Sequence, residues 1–224
     1  MRNIKKWDEF NIKYDENTKL YLEGKITINE WENDLYLLIS ENSLDNLKDK
    51  IVDKVLSILT TLKNKIINIG IKGLNILDRL YKFILKFIKS NPVLVKAIIV
   101  LIILFIFTII TVNAANNGQT IDKTLINAAI GMVERMSQHN DISLFDKMNV
   151  QGYLIDLKDN GKIDGLWNEH IRQIGDATIE SLKKVQMDKN TWSKLVEFGE
   201  SLTKYTQELI KTSGGSIYKI NIGK

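Results

Sequence analysis

The chain has 224 residues, 31 lysines and arginines against 27 aspartates and glutamates, a net charge of +4, no cysteine and one proline. Without cysteine, disulfide scaffolds, thiolate metal sites and cysteine nucleophiles are excluded. Isoleucine, lysine and asparagine dominate; their codons are AT-rich, which points to an AT-rich bacterial, phage or organellar genome and carries no mechanism.

Charge is placed unevenly. Residues 1–43 carry six basic and nine acidic side chains, residues 44–91 carry ten and four, and residues 114–224 balance at fourteen each. The positive charge therefore piles up just before the most apolar segment of the chain.

The first predicted element is a helical hairpin within the region 1–43. A helix ends at Gly24, a residue free to take the left-handed conformation that closes helices. Thr27 caps a second helix, and Glu30, three residues on, completes a capping box. Ile26 before the cap and Trp31 beyond it stand where a hydrophobic staple closes the turn. The order Gly24, Ile26, Thr27, Glu30, Trp31 resembles the core of the SHOCT-type short helical hairpin. The resemblance covers residues 14–40 only and departs at the end, where Asp34-Leu-Tyr-Leu-Leu replaces a basic Lys-x-x-Leu-Leu. It implies an oligomerisation or interaction module, not a catalyst. The same residues also suit any tight helical hairpin.

Residues 44–91 form a cationic amphipathic region. Leu44, Leu47, Ile51, Val55, Ile58, Leu62 and Ile66, then Leu74, Leu77, Tyr81, Ile84 and Ile88, return every three or four positions, the helical period. Gly70 and Gly73 predict a break or bend. Three uses are open for this stripe: contact with a membrane surface, self-assembly, or packing on the hairpin. For membrane-surface contact the candidate residues are Lys72, Arg79, Lys82, Lys86, Lys89 and Lys96, each contributing on the order of 1 kcal/mol near anionic lipid. The apolar face is too broad for an element that enters a nucleic-acid groove.

The segment 92–115 follows. From Val93 to Val112 its only charge is Lys96. At about 1.5 Å per residue such a run is roughly 30 Å long, the thickness of a bilayer's hydrocarbon core. It is apolar on every face, whereas a core helix in water normally keeps one polar side. A transmembrane helix is expected. Basic residues gather on its N-terminal flank, so the N-terminus is expected to be cytoplasmic and the C-terminal domain to lie on the opposite side, a signal-anchor arrangement. Val112-Asn113-Ala114 also satisfies the small-residue pattern for cleavage after Ala114.

Residues 116–224 are expected to form a small helical bundle, with helices at about 121–138, 166–187 and 191–212. Between the first two, Asp156-Leu-Lys-Asp-Asn-Gly-Lys-Ile-Asp-Gly165 resembles the calcium loop of EF-hand and dockerin modules. Lys158 and Trp167 stand at positions where that loop needs oxygen ligands, so no metal is expected. A plain turn at Asp159-Asn-Gly with Asp164 capping the next helix accounts for the same residues.

The fold class is therefore all-α: hairpin, long amphipathic helix, one transmembrane helix and a C-terminal bundle. His139 and His170 fall in separate elements, and the chain contains no Gly-rich phosphate loop, HExxH or GxSxG. No enzyme and no cofactor are expected. The function expected is that of a single-pass membrane-anchored structural or interaction protein, an assembly subunit or tether of phage or virion type. Its partners would be the lipid bilayer, other protein subunits and copies of itself, with nucleic acid unexpected. The alternative is a holin-like or pore-forming protein that permeabilises membranes.

Overall fold

A helix with no polar face has to be enclosed by something, and in this chain the enclosure is protein. The structure, a computed structural model, describes residues 16–40, 47–88, 91–118, 120–137, 150–161, 163 and 165–213. Among these the chain is helical, without strands, as its periodicities predict. The elements are α1 (residues 16–22), α2 (Ile28–Ser40), α3 (Leu47–Asn64), a single 3₁₀ turn (Ile66–Asn68), α4 (Gly70–Ile88), α5 (Pro92–Asn116), α6 (Lys123–Ser137), α7 (Val150–Asn160), α8 (Gly165–Lys183) and α9 (Lys189–Ser213).

The α1–α2 hairpin closes as its residues dictate. Gly24 has φ +78° and ends the first helix. The Thr27 backbone N–H donates to Glu30 Oε2 at 2.6 Å, and the Glu30 N–H donates to Thr27 Oγ1 at 3.2 Å, the reciprocal pair of a capping box. The Glu30 carboxyl is held below its ordinary value by that backbone hydrogen bond. Trp31 is fully buried and its indole N–H donates to Thr18 Oγ1 at 3.1 Å.

The amphipathic region breaks between Asn64 and Gly70, three residues before Gly73. The chain passes through the 3₁₀ turn, and Gly70, at φ +34°, opens α4. Gly73 lies inside α4, where a Cβ would stand 2.8 Å from Ile69 Cγ1 and 3.1 Å from Ile109 Cδ1; its small size lets α4 approach α5. The start of α4 also meets the end of α5, since Asn116 Nδ2 donates to the Ile67 carbonyl at 3.3 Å. The two helices therefore form an antiparallel pair.

α5 begins with the Asn91 side chain accepting from the Leu94 N–H at 3.1 Å and with Pro92 in the first turn, where proline's fixed φ suits a helix. From Ala97 to Val112 every residue is buried. α4, α6, α8, α9 and the 3₁₀ turn all pack on it. α8 runs antiparallel to α5: Trp167 sits beside Thr111 and Thr178 beside Val100. α9 runs parallel: Gly199 lies against Leu101 and Thr206 against Thr108.

Two features of the C-terminal half were not expected. α7 covers Val150–Asn160, so Asp156, Lys158 and Asp159, the first part of the stretch resembling a calcium loop, lie on a helix. Gly161, at φ +70°, terminates it, donating to the Leu157 carbonyl at 2.7 Å in the αL closure that glycine favours. Asp164 lies outside the described residues.

The four expected regions do not keep apart. Lys63 of α3 donates to Ser201 of α9 at 2.7 Å, and Arg135 of α6 pairs with Asp78 of α4 at 2.8 Å. Segments expected on opposite sides of a bilayer touch each other here. This arrangement is a state in which no membrane separates the two flanks of α5. Ala114, the candidate cleavage point, is buried within α5.

Candidate functional site

The feature that asks for a functional account is α5 together with the helices that cover it. Fourteen large apolar side chains of α5 are buried. At about 2 kcal/mol each, exposing them to water would cost on the order of 30 kcal/mol, well beyond the roughly 5–15 kcal/mol that holds a domain folded. α5 is thus never bare in water: either protein or lipid surrounds it. It is long and apolar enough to cross a membrane.

The protein covering is specific rather than merely greasy. Thr108 Oγ1 lies 2.8 Å from Thr206 Oγ1, and each also lies within hydrogen-bond reach of a carbonyl one turn back in its own helix, Leu104 O and Leu202 O. With one proton apiece, one hydroxyl donates across the helices and the other donates to its own carbonyl. Trp167 Nε1–H donates to Thr111 Oγ1 at 2.9 Å, and its ring stacks on Phe107 with centroids 4.7 Å apart. Phe105 stacks on Phe198 at 6.3 Å. Where Gly199 of α9 meets Ile179 of α8, and where Gly175 of α8 meets Thr203 of α9, missing side chains allow the close approach of the two helices that cover α5.

Around this centre, α4 is clasped by acidic and carbonyl groups. Lys72 Nζ donates to Leu22 O at 3.0 Å, Arg79 Nη1 pairs with Glu32 at 2.6 Å, and Lys82 Nζ pairs with Asp78 at 2.8 Å. Lys86 Nζ lies over the Tyr36 ring at 4.5 Å and over Phe87 at 5.4 Å. Of the candidate membrane-surface cations, these four are engaged within the chain. Lys96 is half-buried on α5, and Lys89 lies outside the described residues.

The Asp78 carboxyl receives both Lys82 and Arg135. Burial alone would raise its pKa, but these hydrogen bonds outweigh it and hold the group below its ordinary value. Next to it, Tyr81 donates to Arg135 O at 3.2 Å, and burial pushes its hydroxyl up to about 12. At the far end of α3, Asp53 is raised, chiefly by burial and further by Asp49 and Asp188, against the pull of Lys194.

The hairpin residues Gly24, Ile26, Thr27, Glu30 and Trp31 hold α1 and α2 together, and α2 in turn lies on α4. Trp31 faces inward; Thr27 and Glu30 face solvent.

Among the described residues no arrangement resembling a reaction centre is assembled. Among the described residues no group of three histidine, aspartate or glutamate side chains could hold a metal ion. His170 stacks on Tyr153 with centroids 3.4 Å apart, and His139 lies outside the described residues. Glu169 is taken to about 2 by its hydrogen bond from Arg172, an exposed surface pair. A groove between α8 and α9, with Ile179 in its lining, carries Asp176, Lys183, Glu200 and Lys204, charges of both signs.

Sequence reasoning located α5 and the cations of α4. It missed the sheath, because the threonines, Trp167 and glycines that build it read separately as ordinary helix residues. No protein-family model matches the chain, and neither a curated protein nor a solved structure matches it.

Proposed function

We propose that this chain is a membrane-active protein that carries its membrane-spanning helix sheathed and permeabilises a bilayer when α5 passes from protein into lipid. One observation carries this reading: α5, the segment long and apolar enough to span a membrane, is also the core on which α4, α8 and α9 pack. Protein interior and hydrocarbon are nearly equivalent solvents for α5, so modest interactions in the sheath decide between them. Once α5 leaves, the apolar faces of α4, α8 and α9 lose their covering together. Amphipathic helices stripped in this way bind in a membrane interface, which disturbs the lipid around the spanning helix, and copies of α4 then assemble in the bilayer.

A second reading is that of an anchored structural or interaction subunit with cytoplasmic N-terminus and translocated C-terminal domain. What favours it is the length of α5 and the one-sided cluster of Arg79, Lys82, Lys86 and Lys96. In that case the protein resists alkaline carbonate extraction and leaves the membrane sealed. Neither reading assigns an enzymatic activity or a cofactor.

The chain lacks cysteine, so a Thr108→Cys/Thr206→Cys pair gives a clean lock between α5 and α9. With the disulfide formed, release of dye from phosphatidylcholine–phosphatidylglycerol vesicles should stop, and dithiothreitol should restore it. Equal release from the locked and reduced forms overturns permeabilisation by α5.

A further inference from the structure

Resting on the membrane-active reading, we infer that the corner between α3 and α4 is the surface by which the folded protein docks on an anionic bilayer. The described residues expose four large apolar side chains, and two of them, Ile67 (65% exposed) and Ile71 (37%), sit on this one corner. The 3₁₀ turn drives Ile66 and Ile69 inward and leaves Ile67 pointing outward. Single exposed isoleucines need no explanation; a pair beside a turn, next in sequence to Lys65 and Lys72, does.

The cations come from separate elements and meet at the hairpin turn. Lys72 reaches the hairpin turn, Lys65 Nζ pairs with Glu23 at 3.2 Å, and Lys25 pairs with the same Glu23 at 2.8 Å. Three lysines against one glutamate leave the corner positive. Basic groups around a small apolar tip match an anionic headgroup layer over hydrocarbon.

The corner also has the right neighbour. Asn116, at the last turn of α5, donates to the Ile67 carbonyl, and from Ala97 to Ile121 the chain has no charged residue. The end of α5 that lipid reaches at this corner is therefore its uncharged end. At the other end stand Lys96 and the later cations of α4, Lys82 and Lys86. Docking by Ile67 and Ile71 brings to the bilayer the end of α5 that carries no charge of its own.

The test is flotation of the full chain with vesicles of phosphatidylcholine alone and of phosphatidylcholine with one-third phosphatidylserine. Wild type should float with the anionic vesicles and lose that preference in high salt. Ile67→Asp/Ile71→Asp should bind about ten-fold more weakly with an unchanged circular dichroism melt, and Ile155→Asp on α7 should bind as wild type does. Ile67→Trp should strengthen binding, which keeps the test decisive if the double variant folds poorly. Anionic binding by Ile67→Asp/Ile71→Asp equal to wild type, or equal binding of wild type to both vesicle types, overturns the docking surface while membrane activity stands. Wild type that binds neither vesicle overturns both.

Discussion

Thr108 of α5 and Thr206 of α9 face each other hydroxyl to hydroxyl, 2.8 Å apart, inside an otherwise apolar contact. With one proton apiece, one hydroxyl donates across the helices and the other, accepting it, donates to the carbonyl one turn back in its own helix. In lipid the second bond survives and the first is lost, so the pair marks the sheathed state. Thr108→Val should destabilise the fold by about 1 kcal/mol, the net value of one buried hydrogen bond. Thr108→Val/Thr206→Val should cost less than the sum of the singles, because neither hydroxyl is then left facing a methyl. Urea unfolding of the double-mutant cycle measures the coupling.

Trp167 joins α8 to α5 through its Thr111 hydrogen bond and its stack on Phe107. Trp167→Phe keeps a ring but removes the donor and part of the contact. A loss of about 2 kcal/mol is expected, and release of α5 to lipid should become easier. Vesicle leakage rising as the urea midpoint falls would show both effects; leakage that falls with the midpoint contradicts the exchange of sheath for lipid.

Gly175 marks a close approach of α8 to α9, where an added Cβ would lie 2.5 Å from Thr203 Cγ2 and 3.1 Å from its Cβ. Alanine is the better helix former by about 1 kcal/mol, but overpacking against a stiff β-branched neighbour costs typically 1–3 kcal/mol. Gly175→Ala should therefore be neutral to destabilising by about 2 kcal/mol, and Thr203→Ala in the same chain should restore stability. Thermal melts of the three variants decide it.

Two aspartates give opposite pH dependences. Asp78, held below its ordinary pKa, contributes stability at neutral pH that is lost as pH falls below about 4. Asp78→Asn should lower the urea midpoint at pH 7 and lose that deficit in strong acid. Asp53 is raised by burial among Asp49 and Asp188, so its charge opposes folding at neutral pH, and the penalty fades as acid protonates it. Asp53→Asn should raise the midpoint at pH 7 and match wild type near pH 4. The same ordering for both variants at pH 7 would contradict the assignment.

Much of the architecture was legible from local chemistry. Gly24, Thr27 and Glu30 specify the hairpin because turn conformation and capping are settled within a few residues. The break near Gly70 and the helices near 121–138, 166–187 and 191–212 followed from periodicity and glycine placement. Val150–Asn160 was missed as a helix: Asp156, Asp159 and Asn160 read as turn formers, while what holds the segment is its packing on α6 and the stack of Tyr153 on His170, contacts that no local pattern announces.

By itself the sequence determined that residues 92–116 form a helix that water cannot surround, and that α4 beside it carries cations along an apolar stripe. Only the tertiary structure decided what surrounds that helix and what occupies those cations. An amphipathic helix announces in its sequence which side is buried, but α5 is apolar all round and has no side to announce. Lipid and protein interior satisfy it equally, so the choice rests on contacts such as Thr108 with Thr206 and Asp78 with Arg135, which join residues 98 and 57 positions apart and exist only once the helices are placed together.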